Sequence, residues 1–273
     1  MQPELEEGVR RIAEDRTSGS LDLAIAAIDL LSYEKSPPLP VIRELASKLT
    51  AAHPDMVAVR NAVQFCLLSR EDSDAGTVRY ADAVKAFRRF VETSRPRAAR
   101  QLLKVIDRPV AVATLSHSSS VLEALEHLRG RRQLLSITVL ESLPGGEGRL
   151  TIEALRASGD TTVLAPDTDL EAVAATADVV LLGADAIYAD GGIANKVLSR
   201  ALAERANAAA KPVYVVAESI KLDHRRKSGE AGISPGSLFE IVPPEFLTAI
   251  STERGVLKPA QVAALASPPE DSS

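Results

Sequence analysis

Apolar positions along the first hundred residues recur at three- and four-residue spacing. LDLAIAAIDLLSYE, VIRELASKLTAA, MVAVRNAVQFCLLS and YADAVKAFRRFVETS each carry the stripe of an amphipathic helix. Breakers separate them. SPPLP and the His53-Pro54 pair interrupt helices, because proline has no amide proton and disfavours a helical residue before it. After Asp107 the period changes to short β-rich runs alternating with amphipathic segments. PVAVATL precedes VLEALEHLRG, LLSITVLES precedes LTIEALRASG, TTVLA precedes DLEAVAATA, DVVLLGA precedes NKVLSRALAERANAA, and PVYVVAES closes the series. The alternation predicts an α/β fold: a helical N-terminal domain over residues 1–104, then a Rossmann-like parallel-sheet domain over residues 105–273. Continuous apolar strands such as VVLLG predict a sheet covered on both faces. The polar tail from about residue 267 offers almost nothing to bury and is expected to be disordered.

Composition narrows the partners. Thirty-two basic against 37 acidic side chains give a net charge of −5, so no global attraction to nucleic acid or to an anionic membrane is expected. Cys66 is the single cysteine, in an apolar helical pattern that reads as core packing, and the 4 histidines are scattered. Neither a disulfide framework nor a metal site is expected, and no cofactor is implied. The charged opening MQPELEEGVRRIAEDR lacks a signal-peptide core, and no apolar run approaches membrane-spanning length. A cytoplasmic location follows as the expectation.

In an open parallel sheet, ligands collect beyond the carboxyl ends of the strands. Four loops there carry candidate chemistry: TLSHSSS, ESLPGGEGR, GADAIYADGGIANK and AESIKLDHRRK. The first and third are expected to lead into helix starts, whose unpaired N–H groups favour an anion such as phosphate. Asp185 follows an apolar strand, where a carboxylate serves as general acid/base or accepts ligand hydroxyls; the alternative is a cap or loop hydrogen bond. Asp190-Gly191-Gly192 reads as a turn. Asn195 and Lys196 are expected to open the following helix, where a cation opposes the dipole unless an anion sits beside it. Thr114, Ser116, His117 and Ser118 crowd one strand end. Adjacent Ser and His side chains in an extended chain point apart, and no G-x-S-x-G elbow is present, so the hydroxyls read as helix caps or phosphate contacts. Arg149 can clamp a phosphate or lie at the surface, and Lys221, within KLDHRRK, reads as part of a solvated basic loop.

Together the segments AAHPDMVAVRN, TLSHSSSVLEAL, VLESLPGGEGRLT, LLGADAIYADGGIANK, PVYVVAESIK and FEIVPPEFLTAISTERGVL run in the order of a known family. The chain resembles the family of the alpha, beta and delta subunits of translation initiation factor 2B, which also holds the isomerases of ribose-1,5-bisphosphate and methylthioribose-1-phosphate. The resemblance implies dimers or larger assemblies built through the Rossmann-like domain. For the isomerases it implies an acid/base pair of a cysteine in the TLSHSSS-like loop and the aspartate matched by Asp185, with Asn195 and Lys196 matching substrate contacts. The cysteine is replaced, by Ser116 on an ungapped alignment or by Ser118 on one anchored at the histidine. Leu143 and His53 each stand where the isomerases usually carry arginine. A serine hydroxyl is far less acidic than a thiol, which disfavours known isomerase chemistry. The expected function is an initiation-factor-2B-like regulatory or binding protein taking a phosphorylated sugar or nucleotide. An aldose-ketose isomerase using Asp185 and Ser116, or a purely structural subunit, are the alternatives.

Overall fold

The structure is a computed structural model. It describes residues 3–15, 18–76, 79–157, 159, 161–232 and 238–265, so the expected disordered tail from 267 lies outside the described residues. The chain divides into two compact units, Met1–Ser94 and Arg95–Ser273.

The first unit contains α1 (Pro3–Glu14), α2 (Ser20–Leu31), α3 (Leu39–Ala52), α4 (Val57–Asp74) and the start of α5 (Tyr80–Leu102). Helix α3 shows why: its buried residues Ile42, Leu45, Ala46 and Leu49 fall at i, i+3, i+4 and i+7, one stripe of the helix surface. Pro40 sits in its first turn, where no intrahelical amide bond is lost. His53 ends the helix, buried, with Nε2 2.7 Å from the Ile12 carbonyl oxygen, so the ring closes a backbone acceptor inside this unit. Burial pushes the Cys66 thiol up to about 12, against a weaker opposing hydrogen bond with Tyr80, which fits the core role read from its pattern.

The second unit is built on a seven-stranded sheet and a smaller four-stranded one. Strands β1 (Val110–Leu115), β2 (Leu134–Leu140), β3 (Thr162–Ala165), β4 (Val179–Leu182), β5 (Ala186–Tyr188) and β6 (Ile193–Lys196) come first. They are followed by β7 (Val213–Val216), β8 (Leu222–Asp223), β9 (Phe239–Val242), β10 (Ala249–Thr252) and β11 (Gly255–Leu257). Helices α6 (Ser119–Gly130), α7 (Gly148–Ala157), α8 (Leu170–Thr176) and α9 (Ser199–Ala208) make crossovers. The large sheet runs β11-β10-β7-β4-β1-β2-β3, parallel throughout except for the β10–β11 edge. All four residues of β4 are buried, as its VVLL sequence requires of a strand covered on both faces. After β1 the chain lays β2 and β3 to one side, then returns to place β4 on the other. The order therefore reverses between β1 and β4, the position at which open α/β sheets form a ligand crevice.

The smaller sheet, β8-β5-β6-β9, was not legible as a sheet in the strand pattern, and it changes one expectation. Asn195 and Lys196 do not open a helix: they end β6, paired with Glu240 and Phe239 of β9, and α9 starts only at Ser199. The physical reason is the Asp190-Gly191 turn, where Gly191 takes φ 84° and folds β5 back onto β6 in an antiparallel hairpin. The loop after β2, in contrast, does lead into a helix. Its last glycine, Gly148, is hemmed in by backbone: an added Cβ would overlap the Leu140 carbonyl oxygen and lie 3.1 Å from the Glu141 Cα. Gly148→Ala is expected to destabilise this unit by about 2–3 kcal/mol, as a shift of the urea midpoint at constant slope, because backbone rather than a mobile side chain blocks the methyl.

Candidate functional site

The switch point brings together the ends of β1, β2, β4 and β6. Thr114 is buried near the end of β1, and Ser116 leaves the strand with φ 58°, in the left-handed region. Ser142, just beyond β2, does the same at φ 63°. The two are joined: the Ser116 N–H donates to Ser142 Oγ at 2.6 Å. The Asp167 carboxylate fixes the Ser142 side of the contact, accepting from the Ser142 and Leu143 amides at 2.8 and 2.7 Å. Non-glycine residues held at positive φ store backbone strain, which persists only where surrounding contacts such as these fix it.

His117 follows. Its Nδ1 lies 3.1 Å from Thr151 Oγ1, while that hydroxyl donates its only proton to the Ser116 carbonyl at 2.7 Å. Thr151 must therefore accept from His117 Nδ1–H, which leaves Nε2 of the neutral ring as an acceptor. Desolvation lowers the imidazole pKa below its ordinary value, against an upward pull from Glu147. Both the burial and the Thr151 contact favour the neutral ring. Ser118 caps α6, its Oγ accepting from the Val121 amide at 3.3 Å. The helix start presents the anion-friendly end expected for the first loop.

Gly183 seats this loop against the end of β4. A Cβ there would lie 2.5 Å from Ser118 Oγ and 2.9 Å from its Cβ, so the bare glycine lets the Ser118 side chain lie against the end of β4, with Asn195 Oδ1 at ordinary contact distance, 3.9 Å. Asp185 follows two residues later, and its N–H donates to the Ala194 carbonyl at 2.8 Å, tying it to the residue before Asn195. Asn195 is buried and directs its Nδ2 to Ser199 Oγ at 2.9 Å.

Lys196 reaches across to Glu147, in the glycine-rich loop after β2, and forms an ion pair with its Oε1. Its ammonium also lies 5.6 Å from the centre of the Phe239 ring, within cation–π range. Glu147 escaped the sequence reading because 49 residues separate the partners and no periodicity relates them. Arg149 is drawn away in the same manner: its guanidinium bonds to Glu141, and its side chain is 64% exposed. The structure therefore clusters Ser116, His117, Ser118, Asn195 and Lys196 with Glu147, while Arg149 is engaged at the loop's outer edge.

A second group lies at the end of β7. Lys221 is not part of a solvated basic loop: it is 6% exposed and pairs with Glu218, itself fully buried, at 2.8 Å. Ser120 Oγ, in the first turn of α6, donates to Glu218 at 2.6 Å. Burial alone would raise the Glu218 pKa, but Lys221 and Ser120 outweigh it and hold the carboxyl below its ordinary value. The acidic partner three residues before Lys221, at the end of the apolar strand VYVV, was the available signal.

Comparison with known proteins decides the ancestry. Residues 12–236 match the Initiation factor 2 subunit family over most of the chain. This chain belongs to that family. Among relatives of this family member, a translation initiation factor eIF-2B subunit 2-like protein of Pyrococcus horikoshii is 27% identical over 80% of this chain and 81% of its own length. The translation initiation factor eIF2B subunit alpha of Caenorhabditis elegans is 28% identical, covering 72% of this chain and 70% of its own. The ribose 1,5-bisphosphate isomerase of Archaeoglobus fulgidus is 25% identical over 80% of this chain and 76% of its own. In structure, the eIF-2B of Pyrococcus horikoshii OT3 superposes with a TM-score of 0.84 at 24% identity, covering 96% of this chain and 99% of that one. A chain of the tetrameric eIF2B-beta2-delta2 complex of C. thermophilum superposes at 0.77 and 17% identity, over 96% of this chain and 93% of its own. The shared fold is the helical region followed by the parallel-dominated sheet. Among the described residues, no helix is long and apolar enough to cross a membrane, and no cluster of three or more His, Cys, Asp or Glu side chains is arranged to hold a metal.

Proposed function

We propose that this initiation factor 2 family member is a binding or regulatory protein whose switch-point pocket takes a phosphorylated sugar or nucleotide. What supports the reading is a helix start capped by Ser118 beside Gly183 at the end of β4, with the Lys196 ammonium at the end of β6 reaching the loop after β2, all at the reversal between β1 and β4. Such a set supplies amides and a cation for phosphate, while Asp185 on the same hairpin supplies an acceptor for hydroxyls. A homodimer or larger assembly built through the sheet unit is the arrangement we favour. Thermal unfolding against sugar phosphates, sugar bisphosphates and nucleoside monophosphates tests the pocket. A ligand at 100 times its dissociation constant is expected to add about 2.7 kcal/mol to the native state. A flat panel with folded protein contradicts the reading and leaves a structural subunit.

The isomerase alternative draws on the similarity to the Archaeoglobus fulgidus enzyme and on the His117 ring next to Ser116, whose Nε2 the Thr151 contact leaves as the acceptor nitrogen. Shuttling a proton between adjacent sugar carbons requires a donor that also gives it back near neutral pH, which a serine hydroxyl does not do. Incubation of the ligand in deuterated solvent is expected to leave the sugar carbons unlabelled. Incorporation that disappears in Asp185→Asn would establish the enzyme instead.

A further inference from the structure

Lys196 is the cation of the proposed pocket, yet it is already matched. Its side chain is 12% exposed and that of Glu147 24%, so the pair stands largely out of water, where opposite charges hold each other more strongly than at the surface. The loop is shaped to keep the carboxylate there. A Cβ on Gly145 would overlap Glu147 Oε1, Oε2 and Cδ, so the bare glycine backbone forms the wall against which the carboxylate lies. The fit is incomplete: Glu147 Oε2 is buried and, among the described residues, has no hydrogen-bond partner. A buried carboxylate oxygen without a donor is an unfavourable resting state. Arg149, the other cation of the loop, is occupied by Glu141.

We infer that Glu147 is a resident anion, sitting on Lys196 in the place of a ligand phosphate, and that it sets how strongly charged a ligand must be to enter. The inference rests on the proposed phosphate pocket. A dianionic phosphate displaces the carboxylate, because it brings more charge and more acceptor oxygens to the same ammonium. A weak monoanion does not. Among the described residues, Lys196 from β6 and His117 from the β1 loop face Glu147, and of the two it is the Lys196 ammonium that a departing carboxylate frees for an anion.

The test is calorimetric titration of the full chain with inorganic phosphate, ribose 5-phosphate and AMP, in wild type, Glu147→Gln, Gly145→Ala and the Glu147→Gln/Lys196→Ala pair. Glu147→Gln is expected to bind the accepted probe about tenfold tighter, the order of one partly shielded charge removed. Gly145→Ala, whose methyl evicts the flexible carboxylate without removing it, should shift affinity in the same direction. The double variant should lose the gain. Equal or weaker binding by Glu147→Gln, when wild type binds, overturns the resident-anion role and leaves the pocket standing. No binding by wild type or by either single variant overturns both.

Discussion

Lys196→Ala is expected to weaken binding of a phosphorylated ligand by roughly a hundredfold, the effect of truncating one member of a desolvated charge pair. Two losses combine. The phosphate loses its ammonium, and the carboxylate of Glu147, no longer neutralised, faces the incoming anion. Some stability is lost as well, about 1–2 kcal/mol, because alanine removes the largely buried stem beside Phe239 and leaves Glu147 without its cation. Calorimetric titration of the variant, beside circular dichroism to establish folding, checks both halves. Undiminished affinity would remove Lys196 from the site.

The second large effect concerns stability. Glu218→Ala leaves Lys221 buried with its carboxylate removed, and Ser120 Oγ without its acceptor. Breaking a buried pair from one side costs about 3–5 kcal/mol, because the remaining charge is stranded rather than merely unpaired. Urea unfolding at neutral pH should show the loss in the second unit. The pH dependence has a definite sign. Glu218 is held below its ordinary value in the folded state, so its contribution is full above the unfolded carboxyl pKa of about 4.3 and disappears as pH falls through the lower folded value. The variant should therefore lose part of the wild type's steepening of acid unfolding. An unchanged midpoint in the variant would contradict the role assigned to the pair.

The fold was legible because both periodicities are strong: Ile42, Leu45, Ala46 and Leu49 mark one helical face, and VVLL marks a doubly covered strand. What local pattern does not encode is partnership across the sheet. Asn195 and Lys196 precede an amphipathic segment, so their assignment to a helix start followed the local rule; a glycine turn and pairing with a strand more than 40 residues later overrode it. Glu147 and Thr151 entered the site for the same reason, through contacts at separations of 49 and 34 residues. Lys221 sits in a run of basic residues that reads as a solvated loop; the acidic residue three positions earlier hinted otherwise, and the burial of both side chains makes the pair structural. The loops at the switch point were located from sequence because strand ends could be. Their electrostatic state was not, because it depends on which carboxylate reaches which cation.

The most direct test is amide chemical-shift mapping of the full chain titrated with the phosphorylated compound that gives the largest thermal shift. The predicted result is saturable perturbation centred on Ser116, His117, Ser118, Gly183, Asp185, Asn195 and Lys196, with Glu147 moving in step as its carboxylate leaves the ammonium. Perturbations centred elsewhere, with these residues unmoved at saturation, would contradict a ligand pocket at the switch point.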